Sequence, residues 1–166
     1  MTQYNKQVNS QLFDLLESVD ETVLSGNNGS YFDSILGLLN HILLSDLGWL
    51  STYRLSNLKP KTLQTAILDY ENPGFGKILY HNLSDLRDHR EKVDDLFIDF
   101  VEEMSDDQFQ GEVKLTRSNG KTHTFPFGKV LMHLFNHQTH HRGAVSQILD
   151  RAGVENDYSN LMRLLM

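Results

Sequence analysis

The chain contains no cysteine. Disulfides, zinc–thiolate sites and a cysteine nucleophile are therefore excluded, and any metal site has to be built from imidazole and carboxylate. There is no run of basic residues, and the formal net charge is −7. Phosphate recognition needs clustered Lys and Arg, so nucleic acid is not an expected partner. No apolar stretch approaches the ~18 residues of a membrane span. The N-terminal MTQYNKQVNS is polar and lacks the apolar core of a signal peptide. Neither an internal repeat nor a low-complexity tract occurs. Together these absences predict a soluble cytoplasmic protein that works on neither membranes nor nucleic acids.

What is present is helical. The chain has 166 residues, 39% of them hydrophobic, which suits one domain over 1–166 with a substantial core. Val8, Leu12, Leu15, Leu16, Val19 and Val23 recur at helical spacing, predicting a helix over 3–25. SGNNGS breaks the chain, and Ser30 with Asp33 resembles a capping box for a second helix from about Tyr31 to Tyr53. Pro60, Pro73, Gly74 and Gly76 punctuate 57–80, which reads as a long loop with one helical turn at 62–69. Ser84 is placed to cap a third helix ending near Met104, although the helix could begin as early as Lys77. GEVKLTRSNGKTHTF alternates around Ser-Asn-Gly, the signature of a hairpin. That hairpin either covers one end of a pocket or simply bridges two helix ends. Pro126 fits the first turn of a fourth helix running to about Arg151, with Gly153 placed to end it. The predicted fold is all-α, a four-helix bundle with a short β-hairpin before the last long helix. The apolar tail YSNLMRLLM is free to dock on the bundle or on a second subunit.

Eight histidines stand out against this background. His81, His89 and His123 have polar neighbours and read as exposed. His133, His137, His140 and His141 crowd the fourth helix around a polar centre, and His41 lies in the second helix within LLNHILLSDLGWL. Residues four apart share a helix face, so the wheel allows either His133–His137 or His137–His141 to grip one metal ion. Asn136 is a weaker ligand than any of these rings. The H-x-x-x-H spacing also lacks the Glu of H-E-x-x-H metalloproteases, since Gln138 follows His137.

The last helix, LMHLFNHQTHHRGAVSQIL, and the segment from His41 through Asp46 to Trp49 resemble those of the DinB/YfiT-like family, and the resemblance covers nearly the whole chain. Members are four-helix bundles that typically bind a divalent metal through three histidines and often pair as homodimers. Carried over by position, the resemblance implies His41, His137 and His141 as ligands and moves His133 to a supporting role. Ala144 departs from the family pattern, where Gln commonly follows H-R-G. Relatives include thiol S-transferases that use bacillithiol or mycothiol, and a mycothiol-dependent isomerase. Others are described only as DNA-damage-inducible, a statement about regulation that implies no DNA contact.

Three neutral imidazoles would leave a divalent ion its full charge and an open position. Such a site can lower the pKa of bound water toward ~7 or bind a thiol as thiolate. With no cysteine in the chain, the sulfur would come from a low-molecular-weight thiol such as bacillithiol. Zinc and nickel both suit imidazole. Asn136 and His140 flank the ligands as candidate pocket residues, and Arg142 is expected near the mouth, to attract an acidic thiol or form a surface ion pair. Asp46, about 140° round the helix from His41, reads as a polar surface residue. Trp49 and Tyr53 read as packing residues, and nothing stands out as a general base. The expected function is metal-dependent thiol transfer to small electrophiles. A metal-dependent hydrolase or a non-enzymatic, stress-related binding module are the alternatives.

Overall fold

The structure, a computed structural model of the chain, describes residues 1–29, 31–66, 76–116 and 120–164. Its long helices are α1 (Thr2–Leu16), α3 (Ile35–Arg54), α5 (Leu83–Glu102) and α7 (Phe127–Arg151). Three short helices sit between them: α2 (Glu21–Ser25), α4 (Lys61–Thr65) and α6 (Asp106–Gln110). Strands β1 (Glu112–Thr116) and β2 (Thr122–Pro126) pair antiparallel immediately before α7, as expected from the alternating pattern. A 3-10 turn over Leu161–Leu164 follows. Helix α1 packs on α5, and α3 packs on both α5 and α7, which gives the four-helix bundle. Among the described residues no helix is long and apolar enough to cross a membrane.

Local chemistry explains where the observed boundaries differ from those expected. The first apolar stretch is two helices, because Asp20 interrupts it and accepts a hydrogen bond from the Thr22 N–H at 2.8 Å, opening α2 afresh. Helix α3 starts at Ile35 because Asp33 takes a left-handed φ of 62° and Ser34 then caps, accepting from the Gly37 N–H at 3.0 Å. Ser30, expected as the cap, lies outside the described residues, as do 67–69 of the expected helical turn and 117–119 of the hairpin turn. Asn82 rather than Ser84 caps α5, accepting from the Asp85 N–H at 2.8 Å. Helix α6 has no counterpart in the hydrophobic periodicity; a reciprocal capping box between Ser105 and Gln108 supports it. Pro126 closes β2 and forms the N-cap of α7, and Gly153 follows that helix with φ 74°.

The core runs through the bundle and includes Leu12, Leu16, Leu43, Leu50, Tyr53, Phe100, Phe127 and Leu134. Each such side chain contributes ~1.5–3 kcal/mol by leaving water. The hairpin belongs to this core: Val113 and Leu115 are buried, and the paired Phe125 packs against the cluster.

One layer of the bundle is polar and buried. Asp46 Oδ2 accepts from Arg90 Nη1 at 2.6 Å and from Gln138 Nε2 at 2.7 Å. Arg142 Nη1 donates to Asn5, Asn9 and Gln138 at 2.7, 3.0 and 3.1 Å. Asn9 in turn donates to Asp94 Oδ2 at 2.9 Å, and Arg90 Nη2 lies 3.0 Å from Asp94 Oδ1. All four long helices are joined through this chain of contacts. A buried charge left without its partner is costly, so a shift that separated these groups would be penalised. Asp46 is fully buried and therefore not the surface residue its position suggested.

Candidate metal centre

The groove between α3 and α7 brings His41, His137 and His141 together. His137 Nε2 lies 3.1 Å from His41 Nε2 and 3.1 Å from His141 Nε2. One ligand atom from each ring falls within 4.8 Å of the others. Helical spacing accounts for the pair on α7, and the Asp46–Gln138 contact holds α3 in a register that presents His41 to that pair.

Proton counting favours a cation at this point. A neutral imidazole has one N–H and one in-plane lone pair. The single Nε2 of His137 faces two other Nε2 atoms, so its one N–H or one lone pair would have to be shared between two contacts. Three ring nitrogens gathered this closely suit a metal ion. Tetrahedral bonds of about 2.0–2.1 Å place ligand nitrogens ~3.3 Å apart, close to the spacing seen. Burial holds the rings neutral: desolvation, then repulsion from neighbouring histidines, pushes His41 and His141 down to about 4, and His137 is lowered for the same reasons. Neutral imidazole is the form that ligates.

Phe32 covers one side of the cluster. Its ring stacks on His41 with centroids 4.0 Å apart and planes at 21°, and meets His141 edge-on at 5.6 Å. Gly37 makes this possible, because a Cβ there would stand 1.9 Å from the Phe32 carbonyl oxygen. Sequence reasoning missed both residues. The ring lies outside any regular element, and the need for glycine comes from a close approach that spacing does not reveal.

The other expected site residues separate. His140 is exposed, with its ring 4.9 Å from that of His141. His133 is exposed, 6.5 Å from the His137 ring and edge-on to Trp49 at 5.8 Å. Asn136 instead lines a different cavity, of about 520 Å³, with Met1, Phe109, Leu131 and Met132. This cavity includes none of the three clustered histidines. Arg142 corrects the expectation of a guanidinium at the mouth: it is 3% exposed and spends its donors inside the bundle. The residue after His141 points inward because a step of one residue rotates the side chain by about 100°. Of the histidines expected to be exposed, His81 and His123 are; His89 is half-buried, with Nδ1 2.8 Å from the Tyr80 hydroxyl. Tyr53 is buried in the core as expected, whereas Trp49 keeps part of its surface in a cavity beside His133.

The DinB family model matches residues 1–165. Protein DinB of Bacillus subtilis (strain 168) is 26% identical over 158 residues, which cover 91% of this chain and 83% of that protein. No solved structure matches the chain.

Proposed function

Because the chain belongs to the DinB family, we propose that it is a metal-dependent enzyme that transfers a low-molecular-weight thiol, such as bacillithiol, to small electrophiles. The observation that carries this reading is the convergence of three Nε2 atoms from His41, His137 and His141. A divalent zinc or nickel ion held there would supply Lewis acidity that ionises a coordinated thiol or water near neutral pH. The chain's own residues do the rest. Three uncharged ligands leave that acidity undiminished, Phe32 shields the cluster from water on one side, and the absence of cysteine means the sulfur comes from solution. The same reading includes a small-molecule substrate, a cytoplasmic setting and a homodimer; the exposure of Leu161 and Met162 supports the last.

The test is conjugation of a thiol to a model electrophile by metal-loaded protein, chelated protein and His141→Ala. Loss of conjugation in the second and third is expected. Equal rates in all three would remove the thiol-transfer reading. Hydrolysis without thiol dependence would make the protein a hydrolase, and bound metal with neither activity would make it a binding module.

A further inference from the structure

A second cavity, of about 310 Å³, opens at the hairpin end of the same α3–α7 groove. It is lined by Trp49, Phe125, Pro126, Lys129, Val130 and His133. Three features make it more than a gap in the packing. First, it neighbours the three-histidine cluster along the groove, through His133. Trp49 is two helical turns beyond His41 on α3, and His133 is one turn before His137 on α7, so the two helices run antiparallel past both places. The rings form an unbroken series, Trp49 to His133 at 5.8 Å and His133 to His137 at 6.5 Å. Second, its walls are mostly apolar and partly aromatic, a surface that favours a flat hydrocarbon ring. Third, Lys129 is exposed at its rim, a cation on a chain whose net charge is −7.

We propose that this cavity is the substrate-side subsite of the metal centre, and that it selects compounds with a planar aromatic body and an acidic group. The aromatic body lies between Trp49, Phe125 and Val130. The anionic group meets Lys129 at the rim. His133 lines the cavity on the side of the cluster, its ring 6.5 Å from that of His137, so the reacting end of the substrate extends past His133 toward the three rings. This role for His133 differs from ligation: it forms the wall of the subsite nearest the cluster. The proposal rests on the three-histidine reading for what happens to the substrate, but binding in the subsite does not require the metal.

That independence sets the experiment. Trp49 is the sole tryptophan, so ¹⁵N-labelled protein gives one indole N–H signal that needs no assignment. Metal-free protein is titrated with 1-naphthalenesulfonate and, separately, with neutral 1-naphthalenemethanol. The indole signal should move saturably with both, and the sulfonate should bind more tightly by roughly two- to five-fold, the worth of one exposed ion pair. Lys129→Gln, a surface change that leaves the fold intact, should abolish the difference between the probes. Phe125→Ala should weaken both. An indole signal that stays still while backbone signals elsewhere respond would overturn the proposal, because the probe would then occupy another site. Equal affinity for the two probes, unchanged by Lys129→Gln, would overturn the acidic-substrate assignment. Metal content, measured on the same protein, separately decides the three-histidine reading: a metal-free result with a responsive indole leaves the subsite standing and removes its chemistry.

Discussion

Gln138 donates from Nε2 to Asp46 Oδ2 over 2.7 Å, with both side chains fully buried. This contact ties α3, which carries His41, to α7, which carries His137 and His141. Arg90 shares the same carboxylate oxygen at 2.6 Å, so the tie extends to α5. The helices that carry the three rings are thus joined through a buried polar layer. Burial pushes the Asp46 carboxyl up to about 6 although Arg90 opposes the rise.

Replacing Asp46 with Ala should therefore be costly out of proportion to its size. It leaves Arg90 buried with Asp94 as its remaining acidic partner and frees Gln138 Nε2. Breaking a buried pair in this way costs about 3–5 kcal/mol. Urea unfolding of metal-free wild type and variant would measure it. A change below ~1 kcal/mol, the scale of a surface pair, would show that the layer is not a clamp.

Gly37→Ala should disturb the cluster without touching a ligand. The new Cβ would collide with the Phe32 carbonyl, so the segment before α3 must shift and the Phe32–His41 stack opens. The ring-current shift on the His41 protons should diminish in the variant. An unchanged His41 spectrum would mean that the close approach does not position Phe32.

The rings should also titrate abnormally in the metal-free protein. His41 and His141 are held down at about 4, against about 6.5 in an unfolded chain. Between these values the unfolded chain binds more protons than the folded one, so these two rings stabilise the fold fully above pH 6.5 and lose that contribution as pH falls toward 4. Asp46 works in the opposite direction, because a raised carboxyl binds its proton more readily in the folded state. Global unfolding against pH mixes the two effects, whereas imidazole carbon-bound proton shifts followed by NMR separate them. Titration of both rings near 6.5 would contradict the burial argument.

Much of this was legible in the sequence, and the failures have identifiable causes. Helical spacing located the bundle's helices, and the alternation around Ser-Asn-Gly located the strands of the hairpin. Short-range chemistry was harder: Asp20 and Ser105 start helices with their own side chains, and a period cannot show that. Spacing leaves His133–His137 and His137–His141 equally open; the family resemblance points to the second pair with His41, and the packing of α3 against α7 brings those three rings together. Arg142 and Asp46 were misplaced for a common reason. Charged residues near a suspected site are usually put at the surface, and no local pattern reveals that Asn5, Asn9 and Gln138 are waiting inside to receive them. Phe32 and Gly37 depend on a single close approach between a loop and a helix.

Association in solution is a separate expectation. Leu161 and Met162 are 41% and 66% exposed on the tail, and a homodimer would cover them. Sedimentation across a wide concentration range should give twice the 19.1 kDa chain mass. A monomer throughout would refute the dimer and leave the fold and the cluster untouched.

The most direct test of the central claim is metal content. Protein purified without an affinity tag, stripped, reloaded with zinc or nickel and desalted, should carry one divalent ion per chain. His137→Ala, which removes the nitrogen facing both other rings, should carry none at stoichiometric level. Full metal content in His137→Ala would contradict the assignment of the three histidines as the ligand set.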